Sequence, residues 1–207
     1  MNSSENDATI QSYEQNAQRY ASATADTMSD SLKRWLTMAT EDLSTDASIF
    51  EIGSGTGRDA LYLQSLGYRV QCSDATEAFL SQLQQKSLDA KHFNVVTDTF
   101  EQTYSLILAD AVLLHLTPEQ AKHALKKIRQ ALESNGRFAL TLKEGKGDGW
   151  TDRKIGLPRY FAYWTEEAIR QALQEAGFTK VDIFVSGPEG KHWLNIVCYA
   201  SRAILKA

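Results

Sequence analysis

Short apolar segments alternate with helix-like segments along most of the 207-residue chain, and this alternation constrains the fold more than any other feature. Strand-like apolar runs are predicted at residues 47–52, 68–73, 91–96, 104–109, 137–142 and 178–185. Segments with helical periodicity are found at residues 31–43, 59–66, 76–88, 117–132 and 165–176. Strands connected through helices form a parallel sheet covered on both faces, so we predict a three-layer α/β/α sandwich.

The C-terminal part of the chain departs from this alternation. Residues 187–190 join the strand at 178–185 to a last strand at 193–199, and so short a connection cannot contain a crossover helix. The last two strands must therefore pair antiparallel. With no internal repeat, one domain is expected over residues 1–207. Residues 1–10 are small and polar, and we expect them to be frayed.

The amino-acid composition excludes several classes of binding partner. Lys and Arg number 22 and Asp and Glu 26, a net charge of −4, so no general attraction to nucleic acid or an anionic membrane is expected. Cys72 and Cys198 lie in apolar runs and are predicted to be buried rather than to form a disulfide or bind a metal, and no metal site is predicted. Without an apolar stretch of 18 residues or a leader-like N-terminus, we expect a cytoplasmic monomer or homodimer with no membrane partner.

A glycine-rich motif, EIGSGTG at residues 51–57, follows the first buried strand. Alternate glycines allow a tight turn and close approach of the backbone to a ligand, and the next helix offers free N–H groups. The spacing is G-x-G-x-G, whereas dinucleotide-binding proteins use G-x-G-x-x-G. Glu51, before the first glycine, would repel a pyrophosphate and attract a cationic group. A nucleotide-like ligand is predicted, with a glycine-rich turn that binds nothing as the alternative.

Acidic residues follow the second and third predicted strands, at the edge of the sheet where ligands bind. Asp74 comes directly after the second strand, and its carboxylate can accept hydrogen bonds from both hydroxyls of a ribose. Such a residue can equally be a helix N-cap. Asp98, after the third strand, is interpreted either as an adenine contact or as a solvated loop residue.

These motifs together resemble those of the class I S-adenosylmethionine-dependent methyltransferases. The resemblance rests on EIGSGTG at 51–57, SDA at 73–75, VTDTF at 96–100 and LADAVLLHL at 108–116, and it extends over nearly the whole chain. It implies a Rossmann-like seven-stranded, mostly parallel sheet of order 3-2-1-4-5-7-6 with an antiparallel last strand. It also implies S-adenosylmethionine as the cofactor.

The resemblance also implies site residues. Glycines 53, 55 and 57 would form the loop under the methionine moiety, with Glu51 near its amino group and Asp74 on the ribose. The predicted cofactor contacts are Glu51, Gly53, Ser54, Gly55, Thr56, Gly57, Arg58, Asp74, Ala75, Asp98, Thr99, Phe100, Ala109 and Asp110. Asp98 and Thr99 would face the adenine. Tyr13 and Tyr20 resemble a segment that covers the cofactor, but they could equally pack an N-terminal helix on the sheet.

The sequence gives weaker evidence for the catalytic residues and the acceptor-binding residues than for the cofactor contacts. His115 is the candidate base because an ordinary pKa near 6.5 suits proton removal at neutral pH, and Asp110 could orient it or act alone. His115 could equally pack the next helix turn. Between residues 143 and 160 there are five cations against three anions, which hints at an anionic acceptor bound by Lys143, Arg159 and Tyr160.

We therefore predict transfer of a methyl group to an oxygen or nitrogen of a small molecule. Residues 1–46 would form a helical lid, 47–142 the cofactor-binding core, 143–164 the substrate loop, and 165–207 a helix and a β-hairpin. One alternative is a methyltransferase acting on RNA or protein, since one fold serves many acceptors. Others are an NAD-dependent oxidoreductase and a cofactor-binding module without catalysis.

Overall fold

The computed structural model describes residues 4–24, 27–188 and 192–200. Its strands are β1 (Ile49–Glu51), β2 (Val70–Asp74), β3 (Ala90–His92), β4 (Tyr104–Ala109), β5 (Leu132–Lys143), β6 (Asp148–Thr151), β7 (Arg159–Ala162), β8 (Phe178–Ser186) and β9 (Trp193–Ala200). Its helices are α1 (Glu5–Ser22), α2 (Asp30–Thr40), α3 (Arg58–Ser65), α4 (Glu77–Gln85), α5 (Pro118–Gln130) and α6 (Glu166–Glu175). A single 3₁₀ turn covers Leu113–His115.

Within the described residues, seven strands form one sheet in the order β3-β2-β1-β4-β5-β9-β8. The pairs from β3 to β5 are parallel, whereas β9 pairs antiparallel with both β5 and β8. Because β8 and β9 are the sixth and seventh strands predicted from the sequence, the predicted order and the reversed last strand are confirmed. The carboxyl ends of β1, β2 and β4 meet at one edge, where the predicted site residues lie.

Helices cover both faces of the sheet. On one face, α2, α3 and α4 contribute a buried apolar cluster that contains Trp35, Leu63 and Leu83. On the other, α5 and α6 pack through residues that include Leu125 and Leu173. The three-layer prediction is therefore confirmed, and both cysteines are free and buried, as expected.

The N-terminal helix corrects one expectation. Residues 4–10 are ordered rather than frayed, because Ser4 and Asp7 form a capping box at the start of α1. The buried face of α1 is polar, with Thr9 and Ser12 among its members. The Thr9 hydroxyl oxygen accepts from the Tyr160 N–H at 3.0 Å, and the Ser12 hydroxyl donates to a β6–β7 loop carbonyl at 2.6 Å. Because the buried face of α1 is mostly polar, this helix has no apolar periodicity, and the sequence predicts it only as part of the helical lid over residues 1–46.

The segment predicted as a loop at residues 143–164 contains a β-hairpin. Strands β6 and β7 pair antiparallel as a separate two-stranded sheet. All four residues of β7 are buried, and the strand contacts α1 and the 3₁₀ turn at Leu113–His115. In the described part of the chain, no helix combines the length and the apolarity that crossing a membrane requires.

Candidate functional site

The glycine-rich turn after β1 has the left-handed backbone that its sequence predicts. Gly53, Gly55 and Gly57 have φ values of 65°, 53° and 77°. A Cβ on Gly53 would lie 2.6 Å from a Val112 methyl group, and one on Gly57 would lie 2.5 Å from a Leu88 methyl group. A Cβ on Gly55 would meet nothing within 4 Å. Two of the glycines are thus needed for packing, while Gly55 presents its backbone to open space.

A first cavity lies between this turn, the ends of β2 and β4, and α1. Its lining includes Asn6, Thr9, Ile10, Tyr13, Tyr20, Ile52, Gly53, Gly55, Asp74, Ala75, Thr76, Phe79, Phe93, Asn94, Val95, Asp110, Ala111, Val112, His115 and Leu116. The wall is mostly apolar, with polar groups at a few points. This is the usual character of a site for a small ligand or cofactor.

Asp74 is the buried carboxylate of this cavity. Its Oδ2 accepts from the Gly55 N–H at 3.0 Å, and its Oδ1 accepts from the Thr76 N–H and hydroxyl at 3.0 and 2.9 Å. Burial nevertheless raises the pKa of Asp74 above its ordinary value. A carboxylate has about four acceptor positions, so one remains for a ligand hydroxyl.

The far end of the first cavity is formed by different residues from those predicted. Asn94 lines it and donates through its side-chain nitrogen to the Asn6 side-chain oxygen of α1 at 2.9 Å. Asp98 lies outside, where it accepts from the Asn94 backbone N–H at 2.8 Å and stabilises the loop. Phe100 packs against Phe93 in the core, with ring centroids 4.8 Å apart.

Thr99 is exposed and also lies outside the lining. Of the cofactor contacts predicted after the third strand, Asp98, Thr99 and Phe100 therefore do not line the first cavity, whereas Asn94 does. The third strand ends at His92, earlier than the predicted residue 96, so the chain reaches the cavity edge sooner than the pattern indicated.

An acidic pocket adjoins the glycine-rich turn. Three carboxyl groups, those of Glu51, Asp59 and Asp110, line it together with the single guanidinium of Arg58. Arg58 donates through Nε to Asp59 at 2.8 Å and through Nη2 to Asp110 at 2.6 Å. Thr141 donates its hydroxyl proton to the other Asp110 oxygen.

The acidic pocket has more carboxyl groups than its one cation can neutralise. Burial, reinforced by the Asp59 carboxylate, raises the pKa of Glu51 to about 8 and that of Asp110 to about 7. Glu51 is only 2% exposed, so water compensates little of its charge. A ligand cation such as an ammonium group would therefore be stabilised here, as the position of Glu51 before the glycines predicted.

His115 lies at the head of a short hydrogen-bond chain. Its Nδ1–H donates to the Tyr160 carbonyl at 2.7 Å, which leaves Nε2 as an acceptor for the Tyr13 hydroxyl at 2.9 Å. Arg159, which can only donate, contacts the Tyr13 oxygen through Nη1 at 2.9 Å. The direction of every hydrogen bond is thus fixed. The prediction that Asp110 orients His115 is wrong, because the Asp110 carboxylate is bound to Arg58 and Thr141.

Burial lowers the pKa of His115 to about 3, so the imidazole is neutral at physiological pH. The ordinary pKa near 6.5 that the sequence suggested does not apply. Burial also raises the pKa of Tyr13, which keeps its hydroxyl protonated.

A second cavity, of about 640 Å³, adjoins the first. Its lining is Tyr13, Tyr20, Ala111, Leu114, His115, Lys143, Trp150, Thr151, Asp152, Arg153, Lys154, Arg159, Phe161, Tyr163 and Trp193. Four residues also line the first cavity, and we call them the shared wall: Tyr13, Tyr20, Ala111 and His115.

The structure thus brings most of the predicted site residues together. Glu51, Ser54, Thr56 and Arg58 line the acidic pocket. Gly53, Gly55, Asp74, Ala75, Asp110, Tyr13 and Tyr20 line the first cavity, and Lys143 and Arg159 the second.

Three further predicted contacts differ from the structure. Gly57 and Ala109 are not among the lining residues of the first cavity, the second cavity or the acidic pocket, and Ala109 is fully buried in the core. The Tyr160 ring packs against Trp150, with centroids 5.7 Å apart. Tyr160 therefore contributes to the site only through its carbonyl, which accepts the hydrogen bond from His115. Asn94, Lys154 and Trp193 were not predicted as site residues. Only Lys154 had a signal, as one of the cations counted between residues 143 and 160.

The comparison with known families decides which family this is. The sequence model described as "Tellurite resistance protein TehB" matches residues 35–171, two thirds of the chain. The chain belongs to the TehB family. Two Haemophilus influenzae proteins, each described as a probable S-adenosyl-L-methionine-dependent methyltransferase TehB, are 26% identical to it over 94 residues. The match covers 42% of this chain and 33% of each relative, so it spans about a third of their length.

Solved structures extend the similarity to almost all of this TehB-family chain. A Burkholderia thailandensis 1,6-didemethyltoxoflavin-N1-methyltransferase, solved with 1,6-didemethyltoxoflavin and S-adenosylhomocysteine, is 20% identical, with 97% of this chain and 92% of that one covered and a TM-score of 0.74. Magnesium protoporphyrin IX methyltransferase from Synechocystis PCC 6803, solved with S-adenosylmethionine, is 13% identical, with 97% and 99% covered and a TM-score of 0.78. At these identities the similarity shows the fold alone. Together with the TehB family model and the curated relatives, it confirms the resemblance to the class I methyltransferases.

Proposed function

We propose that this TehB-family protein transfers a methyl group from S-adenosylmethionine to an oxygen or nitrogen of a small molecule. The observation that carries the proposal is the meeting of two cavities at the shared wall. The first is lined by the exposed backbone of Gly55 and by the Asp74 carboxylate, which can accept a hydrogen bond from a ribose hydroxyl, and the acidic pocket adjoins the same glycine turn. The second is large enough for a small organic molecule.

The residues of the first cavity fit S-adenosylmethionine by their chemistry. Asp74 has an acceptor position left for a ribose hydroxyl, and the acidic pocket suits the ammonium of the methionine moiety. Asn94 offers amide atoms at the opposite end, beside apolar walls suited to an adenine. When bound, the cofactor supplies a methyl group already activated on a sulfonium, so the protein contributes mainly alignment and exclusion of water.

Two residues of the shared wall, Tyr13 and His115, remove the proton from the acceptor. Tyr13 accepts a hydrogen bond from Arg159 and keeps a lone pair for a second donor. As the acceptor proton moves to the Tyr13 oxygen, the Tyr13 proton moves to Nε2 of His115, which is neutral and unprotonated at that atom. The imidazolium that results is short-lived, because burial outweighs the hydrogen bond to the Tyr160 carbonyl and lowers the His115 pKa, and it loses its proton to water after the product leaves.

Calorimetric titration with S-adenosylhomocysteine and, separately, with NAD tests the cofactor assignment. We expect S-adenosylhomocysteine to bind and NAD not to bind. Asp74→Ala should weaken the binding by about 1.5–3 kcal/mol, the contribution of a hydrogen bond to a charged group. Asp98→Asn is the matched control, because it changes the other predicted acid yet keeps an acceptor for the Asn94 N–H. A preference for NAD would favour the oxidoreductase alternative and end the proposal.

Other predictions from the sequence stay open. Both solved relatives named above act on small molecules, which favours a small acceptor over RNA or protein. Salt-sensitive retention of the protein on RNA would favour the other alternative. A non-catalytic module would bind S-adenosylhomocysteine but transfer no methyl group to any acceptor. The cytoplasmic location and the monomeric or dimeric state stay predictions.

A further inference from the structure

The second cavity concentrates positive charge without neutralising it. Lys143, Arg153, Lys154 and Arg159 line it, against the single carboxylate of Asp152. Among the described residues, none of these four cations has a carboxylate oxygen within 4.0 Å. The cations also repel one another. Burial and, after it, the Arg159 charge lower the pKa of both lysines, and the pKa of Lys154 falls to about 8.

Arg159 adds an independent sign that a partner belongs here. It is only 4% exposed, and its guanidinium contacts the Tyr13 oxygen and the Arg153 carbonyl but no anion. Its buried Nε–H has no hydrogen-bond partner among the described residues. A buried, unpaired and incompletely bonded cation is costly, so a site of this kind is complete only with an anion.

The walls of the second cavity indicate what carries the anionic group. Lys143 lies over the Phe161 ring, 4.1 Å from its centroid, and Lys154 lies over the Tyr20 ring at 4.0 Å. Trp150 is half exposed although it lines the cavity. An inorganic oxyanion would fill only a small part of this cavity of about 640 Å³ and would leave the aromatic rings in contact with water.

From this geometry we infer that the methyl acceptor is an aromatic carboxylate, whose ring packs on the aromatic walls and whose carboxylate pairs with Lys143, Lys154 and Arg159. This inference rests on the proposed function and names the acceptor class for it. Arg159 donates to the Tyr13 hydroxyl and Lys154 lies over the Tyr20 ring, so a carboxylate bound by these cations lies beside the shared wall. A nucleophilic oxygen or nitrogen on a neighbouring ring position would then lie near Tyr13.

The test uses the full-length protein saturated with S-adenosylhomocysteine. Benzoate and the three hydroxybenzoates are titrated by calorimetry or ligand-observed NMR, alongside the matched neutral benzamides and inorganic sulfate. At least one carboxylate should bind at least about tenfold more tightly than its amide and than sulfate. Sulfate binding as tight as any benzoate would point to an inorganic oxyanion and overturn the inference. Equal binding of acid and amide, or no binding of any acid, would also overturn it.

Variants then locate the binding. Lys143→Gln and Lys154→Gln should each weaken carboxylate binding by about tenfold, with little change for the benzamide. Lys146→Gln is the control, because Lys146 is exposed and does not line the second cavity. Carboxylate binding unaffected by both test variants would place the ligand elsewhere and refute the inference. Failure of S-adenosylhomocysteine itself to bind would instead refute the proposed function, so the two failures are distinguishable.

Discussion

The acidic pocket and the second cavity lie on either side of Tyr20 and carry opposite charge. In the acidic pocket three carboxyl groups share one guanidinium, and two of them have raised pKa values. In the second cavity four cations face one carboxylate, and two lysines have lowered pKa values. Each region is therefore destabilised by like charges that a ligand of the opposite sign would relieve. The opposite charges suit the two proposed ligands, a cofactor with a cationic ammonium and an anionic acceptor.

The largest effect is expected at the shared wall, where the two regions meet. His115→Gln replaces the basic Nε2 with an amide that cannot take up a proton, and it should lower turnover about a hundredfold, since general base catalysis contributes at least that much. S-adenosylhomocysteine affinity should hardly change. The measurement is the turnover number with the first acceptor identified, beside calorimetry of the same variant. Normal turnover would remove His115 from the mechanism.

Activity should show no inflection near pH 6.5 from His115. Its pKa in the folded protein is about 3, so the imidazole stays neutral across the neutral range. A profile of kcat/KM against pH, compared between the protein and His115→Gln, checks this. An inflection near 6.5 that the variant abolishes would contradict the buried geometry.

The acidic pocket should make stability depend on pH in one direction, and His115 in the other. Glu51 and Asp110 have folded-state pKa values of about 8 and 7, above their unfolded values, so their contribution is greatest at low pH and is lost as pH rises from about 4 to 8. His115 has a depressed folded-state pKa, so its contribution is present above pH 6.5 and is lost as pH falls toward 3.

Glu51→Gln tests the first of these contributions. The variant mimics the protonated acid and should remove at least about 1 kcal/mol of the stability loss between pH 5 and 8. Urea unfolding of the protein and the variant at several pH values measures this. If the free energy of unfolding changed with pH in the same way for both, the pKa of Glu51 would not be raised by burial.

A smaller effect is expected at the far end of the first cavity. Asn94→Ala should weaken S-adenosylhomocysteine binding by about 0.5–1.5 kcal/mol, the net contribution of one neutral hydrogen bond. Calorimetry of this variant beside Asp98→Asn separates the two residues. A larger loss in Asp98→Asn than in Asn94→Ala would restore the adenine contact predicted from the sequence.

The two regions also differ in how far the sequence could predict them. Glu51, the glycines and Asp74 follow β1 and β2 directly, so the strand pattern alone places them at one edge of the sheet. In the second cavity, the sequence indicated a cationic segment but not its geometry. The direction of Arg159 depends on the β6–β7 pairing and on α1, whose buried face is polar and leaves no hydrophobic period. The hydrogen bonds of His115 join residues up to 102 positions apart, which no local pattern reports.

The most direct test of the account is the orientation of the cofactor, because the ammonium must lie in the acidic pocket for the methyl group to face the shared wall. Calorimetry would compare S-adenosylhomocysteine with 5′-methylthioadenosine, which lacks the amino-acid part, in the protein and in Glu51→Gln. At about pH 8.5, where Glu51 is mostly ionised, we predict that the variant weakens S-adenosylhomocysteine binding about tenfold and leaves 5′-methylthioadenosine binding unchanged. An equal loss for both ligands, or no loss for either, would contradict the account.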